Sequence, residues 1–208
     1  MIKHKLLILI AAVTALGLSQ AGATFVKLVD GDPDGIKLWN DVANKNVTDF
    51  DAFVGQNNSG GHSVHIHTFG PVDSGSGYAT IKPVKGGSLT DVIFTPDSST
   101  TFSDFSFRGQ LTDFGDGTVT LIVTDSLNVV TTFTFSGLGK NQDFPRQGII
   151  SEDGSFIKTV ELQSDFKEIK QLDVSFGDPT RVPDGGTTVM LLGAALSVLG
   201  MARRYLKS

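Results

Sequence analysis

From residue 24 onward, apolar and polar residues alternate at every second position in one short run after another. Ser63-Val-His-Ile-His-Thr-Phe69, Thr118-Val-Thr-Leu-Ile-Val-Thr124 and Val129-Val-Thr-Thr-Phe-Thr-Phe135 carry the pattern most cleanly. A period of two puts one set of side chains on each face of a β-strand. The same reading predicts strands over 25–29, 77–82, 89–94, 102–107, 156–162 and 169–176. Clusters of Gly, Asp, Asn and Ser separate the runs and read as turns, and Asp125-Ser-Leu-Asn128 reads as a hairpin connection. Nine or so short strands at this spacing predict an all-β fold, an antiparallel β-sandwich of jelly-roll type. The chain's fifteen Phe supply much of its core. Only 36–53 competes as a helix. Its pattern is poor, and 49–53 reads as a single turn.

Two stretches break the alternation, one at each end. Lys3, His4 and Lys5 precede the apolar run Leu6 to Leu18, and Ala21-Gly22-Ala23 follows. A basic segment, an apolar segment and an A-x-A site make a secretory signal peptide over 1–23, cut before Thr24. A retained N-terminal anchor is the alternative. At the other end, Thr187 to Ala202 carries no charge and is followed by Arg203-Arg204-Tyr205-Leu206-Lys207-Ser208. As a helix, this run would span roughly 24 Å at about 1.5 Å per residue, a little less than the ~30 Å hydrocarbon core. Arg203, Arg204 and Lys207 can reach headgroups from its end and act as a basic stop. Positive residues prefer the cytoplasmic side, which puts the body outside. A buried helix of a soluble domain is the other reading, but such a helix normally shows a polar face and this one has none. The domain expected between the two ends covers 24–181, long enough for one sizeable core.

Charge changes the picture of partners. Of 17 basic and 22 acidic residues, five basic ones (Lys3, Lys5, Arg203, Arg204, Lys207) and Asp184 lie in the end segments. The body therefore keeps 12 basic and 21 acidic residues, about −9. That balance argues against nucleic acid and anionic membrane surfaces as partners and is compatible with divalent cations. With no Cys, thiol catalysis and Cys-zinc sites are excluded, and burial must hold the body together.

Three groups of residues are candidates for chemistry. Asp30, Asp32 and Asp34, followed by Gly35, open like a D-x-D-x-D-G calcium loop, in which alternate carboxylates on a tight turn face one Ca²⁺. The twelfth position is Asp41 and Pro33 interrupts the loop, so the expectation is a calcium site of non-EF type, or else an acidic surface turn. His65 and His67 share a strand face, as paired metal ligands would, with His62 in the turn before them and no third ligand evident in sequence. Solvated strand-face histidines and sugar hydrogen-bonders are the alternatives. Trp39, beside Asn40 and Asp41, is a candidate platform for stacking on a glycan, or a core residue. No serine-nucleophile motif is present, and Glu152, Glu161 and Glu168 show no pairing that would mark glycoside hydrolysis.

Val182-Pro183-Asp184-Gly185-Gly186, the apolar run and the Arg203-Arg204 cluster together resemble the VPDSG-type branch of the PEP-CTERM sorting signals, with Gly185 where the family has Ser. The resemblance implies an exported substrate of an exosortase-type membrane transpeptidase in bacteria that make extracellular polysaccharide. It also implies membrane anchoring by the C-terminal helix before processing, then placement at the cell surface or outside the cell. Pro183 removes a backbone donor and Gly185-Gly186 keep the segment extended, as a processing enzyme needs. Thr132 to Gly139, Gly148 to Ile150, Ile157 to Leu162 and Phe166 to Val174 resemble the closing strands of many PEP-CTERM bodies, β-sandwiches of the sort that include carbohydrate-binding modules. The expected function is a non-enzymatic surface or matrix protein, glycan-associated through extracellular polysaccharide. The alternative is a small secreted jelly-roll hydrolase or lyase acting on polysaccharide.

Overall fold

The computed structural model describes residues 24–177, apart from 30–34, 86, 88, 114–116, 140, 141 and 153–155. Residues 23–181 form one compact unit. The segment 1–23 expected to be a signal peptide, Asp30, Asp32 and Asp34, the motif 182–186 and the apolar run with the basic residues after it lie outside the described residues. Among the described residues, no helix is long and apolar enough to cross a membrane.

The body is β as expected, with twelve strands among the described residues: β1 (Phe25–Val29), β2 (Ile36–Asn40), β3 (Asn44–Val54), β4 (Ser63–Ser74), β5 (Gly77–Tyr78), β6 (Thr80–Pro83), β7 (Leu89–Pro96), β8 (Thr101–Leu111), β9 (Val119–Asp125), β10 (Val130–Phe135), β11 (Gln147–Ser151) and β12 (Ile157–Gly177). All pairings are antiparallel. The hairpin at 125–128 forms between β9 and β10, with Thr124 opposite Val130. Asp125 Oδ1 accepts from the backbone N–H groups of Leu127 and Val129, at 2.8 Å each, and Asn128 takes φ 63°. Asn tolerates that left-handed conformation because its short polar side chain can bond locally.

Three expectations change. The segment 36–53 is neither helix nor turn: it forms β2 and most of β3. Phe50, Ala52 and Val54 are buried while Asp49 and Asp51 are exposed, so the alternation decides, although Asp is a poor strand former. The run 77–82 divides into β5 and β6. The runs 156–162 and 169–176 join into the single strand β12, which changes register between Gln163 and Phe166.

That long strand folds one sheet into two layers. Its first half lies between β7 and β9. Its second half lies against β8, β6 and β2. The first layer runs β10-β9-β12-β7-β4-β3. The second runs from β1 through β11 and β8 to β12 and on to β6, β2 and β5. One core lies between them, with Phe94 of β7 facing Phe105 of β8 at 4.9 Å between ring centroids. Phe102, Phe107, Phe135, Phe144 and Phe166 are buried with them. Two-layer burial of this kind is what an antiparallel sandwich requires.

Candidate functional site

With the inner faces used for packing, chemistry falls to the two outer faces. On the second layer, Leu38 and Asn40 point inward, which turns Lys37 and Trp39 of β2 outward. Trp39 lies directly opposite Tyr78 of β5. Of the two expectations for Trp39, core or platform, it is a half-buried residue of the outer face. Gly77, at φ 91°, has only hydrogen where a Cβ would meet the indole at 3.8 Å. The Lys37 ammonium sits 5.2 Å from the Tyr78 ring centroid, within cation–π range.

Beside this aromatic pair runs a floor of fixed polar groups. Asp173 of β12 is opposite Lys37 on one side and Ser106 of β8 on the other. Tyr78 donates its hydroxyl hydrogen to Asp173. Arg146 pairs with the same carboxylate at 2.5 Å and donates to Ser106 Oγ at 3.0 Å and to the Gln171 carbonyl at 3.2 Å. The Asp173 and Arg146 side chains are only 4% and 13% exposed. Gln171 stands at φ 51° where the register shifts between Lys170 and Asp173. Such a bulge re-aims the residues that follow it, so Lys170 and Asp173 reach one face although three positions apart. Burial, and then Asp173, pushes the Tyr78 hydroxyl well above the ordinary tyrosine range. Tyr78 therefore stays a neutral donor.

A second row continues the face. Glu168 accepts from Lys82 at 2.7 Å and Lys170 at 3.1 Å, and Lys170 also pairs with Asp143 at 2.7 Å. Gln110 donates to Asp143 at 2.6 Å, and Arg108 donates to Gln171 Oε1 at 3.0 Å. Burial raises the Glu168 carboxyl, but the bonds from Lys82 and Lys170 outweigh it and hold it below the usual range. The Asp143 bond raises Lys170 further above its ordinary value. Glu168 and Lys170 therefore stay ionised at neutral pH, and most donors and acceptors of this face are already oriented.

The outer face of the first layer is different. Thr95, Thr120, Thr124, Thr132, Thr134 and Thr159 occupy outward positions on β7, β9, β10 and β12. At its β3–β4 edge stand His65 and His67, with Asp51 directly opposite His65 and Asp49 opposite His67. The partners that the sequence left unidentified therefore come from β3, the segment that reads as a turn. His62 is apart from them: its Nδ1 lies 3.1 Å from Asp97 Oδ2, and its ring packs on Phe176. Asp41, the twelfth position of the calcium reading, is exposed after β2. Among the described residues, no group of three or more His, Asp or Glu side chains is placed so that it could hold a metal ion.

Comparison with known proteins adds one match in the tail and distant likenesses for the body. No curated protein matches the chain. Among solved structures, it is similar to a substituted form of CBM29-2, a family 29 carbohydrate-binding module. That form is 15% identical with a TM-score of 0.31, and the match covers 79% of this chain and 100% of that one. A second substituted form is 16% identical with a TM-score of 0.31 and the same coverage. A third, complexed with mannohexaose, is 15% identical with a TM-score of 0.30, covering 75% and 93%. TM-scores this low do not establish a shared fold. The family model described as the VPDSG-CTERM motif matches residues 181–206. The chain thus carries a C-terminal exosortase sorting signal, which marks it for export and for placement at the surface or outside the cell.

Proposed function

We propose that this is a non-enzymatic surface or matrix protein whose body associates with extracellular glycan through the outer face of its second layer. One observation carries the reading: Trp39 and Tyr78 are directly opposed across two strands, beside the buried Arg146–Asp173 pair. Sugars have apolar C–H faces that stack on aromatic rings and hydroxyl edges that need fixed donors and acceptors. This face offers both, and its groups are held in place before any ligand arrives, which lowers the ordering cost of binding. In this reading residues 187–202 hold the protein in the membrane until an exosortase-type enzyme acts at 182–186. Asp30, Asp32 and Asp34 would hold a Ca²⁺ ion.

The test is affinity electrophoresis of the purified chain through gels containing soluble polysaccharides, with neutral β-linked glucans and mannans compared against uronate polymers. Retardation by at least one polymer, cut about tenfold or more in apparent affinity by Trp39→Ala, is the expected result. No retardation by any polymer, or full retardation of the variant, overturns the reading. The alternative, a polysaccharide hydrolase or lyase, has one observation in its favour: His65 and His67 do meet two carboxylates. New reducing ends, or unsaturated ends absorbing short-wavelength ultraviolet light, lost in His67→Gln would establish it.

A further inference from the structure

We propose that the tip of the β9–β10 hairpin, with Leu127, Val129 and Val130, is a lipid-contacting surface that seats the body on the bilayer into which its own C-terminal segment inserts. This rests on the reading above that residues 187–202 hold the protein in a membrane.

The tip is apolar and fixed. Leu127, Val129 and Val130 are 50%, 39% and 60% exposed. From Ser126 to Gly139 the chain carries no charged residue. Asp125, at the base of the turn, is only 2% exposed, and its carboxylate is occupied by the N–H groups of Leu127 and Val129. Those bonds hold the turn, so its apolar side chains are displayed with little left to order on binding. A single exposed aliphatic residue is ordinary. Three on one uncharged turn make a patch that removal from water would stabilise.

The place of the tip in the fold selects the surface that covers it. Ile157, the first residue of β12, is opposite Asp125, and Ser126 donates its N–H to the Phe156 carbonyl at 2.9 Å. From there β12 runs out to Phe166, opposite Leu111, and returns, so that Phe102 is partner both to Ile157 at its start and to Phe176 near its end. Gly177, its last residue, lies against the Phe156 ring, where a Cβ would stand 2.4 Å from Cδ1. Phe156 thus touches both the hairpin tip and the point from which the chain departs for the sorting signal. Nine residues, 178–186, separate Gly177 from the apolar run that begins at Thr187. At about 3.3–3.6 Å per residue, even a fully extended chain keeps Gly177 within about 36 Å of Thr187.

Charge makes the tether and the tip depend on each other. A body of about −9 is repelled by an anionic bilayer and would not settle there unaided. A short tether supplies the effective concentration that a small apolar patch lacks. Lys158 donates to Asn128 Oδ1 at 3.1 Å, which sets a cation at the root of the tip, where it can meet phosphate headgroups as the apolar side chains enter. Seated in this way, the body keeps the motif 182–186 close to the membrane, where a membrane transpeptidase would reach it.

The chain has no Cys, so a single environment-sensitive dye can be attached at a chosen position. The test places the full-length chain, labelled at Leu127→Cys, in vesicles of phosphatidylethanolamine and phosphatidylglycerol. Lys85→Cys is the control, because Lys85 is exposed beyond the Leu89–Phe166 end of the sheet. The dye at 127 should emit at shorter wavelength and be quenched by lipids spin-labelled near the headgroup about twofold or more above the dye at 85, as interfacial burial requires. Adding Val129→Thr and Val130→Thr to the Leu127→Cys chain should remove most of that difference, with the melting temperature of the body unchanged. Equal quenching at the two positions, in chains that float with the vesicles, would overturn the proposal and leave the anchoring reading intact. Chains that do not float would overturn both together. A shift to shorter wavelength without lipid quenching, growing with the ratio of chain to lipid, would overturn the proposal in favour of a second copy covering the tip.

Discussion

Removing the guanidinium of Arg146 should be one of the most damaging changes on either outer face. Arg146→Leu keeps much of the aliphatic stem but takes the guanidinium from Asp173, whose side chain is 4% exposed and which also accepts from Tyr78. It also releases Ser106 Oγ and the Gln171 carbonyl. Breaking a buried ion pair from one side costs about 3–5 kcal/mol, because a charge stays buried without its partner. For a domain of this size, each kcal/mol shifts the midpoint by about 2–4 °C, so the fall should be about 6–20 °C. Thermal unfolding at pH 7, followed by circular dichroism, measures it. The cycle with Asp173→Asn and the double variant isolates the pair itself. The double variant should recover part of the loss, since it also removes the buried charge that lost the guanidinium. A midpoint within about 2 °C of the parent, or a double variant as unstable as the sum of the singles, would refute the argument that this pair is both buried and coupled.

Three further outcomes follow from packing and charge. Phe105→Ala, which empties a position stacked against Phe94 and near Phe102 and Phe107, should cost about 3–5 kcal/mol in denaturant unfolding. Gly109→Ala should cost about 1–3 kcal/mol by overpacking, because its Cβ would stand 2.5 Å from the Glu168 carbonyl oxygen and 3.1 Å from Phe144 Cζ. Asp97 gives a pH dependence. Burial raises its carboxyl, but bonds from Ser99 and Ser63 outweigh that and bring it down to about 2. A carboxylate depressed in the folded state stabilises above its unfolded value, about 4, and that stability is lost as pH falls toward 2. Asp97→Asn should flatten the acid limb of the stability curve between about pH 4 and pH 2.

Local pattern made most strands legible. Runs such as 118–124 and 129–135 need no distant information, because each alternates within itself and the 125–128 turn carries its own Asp and Asn. The long β12 was less visible: at Gln163–Phe166 and again at Gln171 the period slips, so one strand reads as two. β3 was hidden because Asp49 and Asp51 disfavour strands when taken alone, and only their pairing with β4 explains them. The same gap concealed the partners of His65 and His67, which lie 14 and 18 residues away. Trp39 was visible as a candidate, but Tyr78 and Asp173 join it through ladders that no spacing reveals. The tail was the clearest stretch because its order is linear and a processing enzyme reads it as linear chain.

The route of β12 also decides how the body would bear load. It is the strand that the chain leaves, three residues on, for the sorting signal at 181–206, and it makes ladders with β7 and β9 in one layer and β8, β6 and β2 in the other. If the body is bound to matrix and held by its tail, as proposed, tension would reach it at the end of this strand. Sliding it out requires hydrogen bonds on both its edges to fail together, whereas a strand peeled from a sheet edge loses them singly. On the proposed reading, the attachment point is a strand laddered into both layers and not one that can be peeled from an edge.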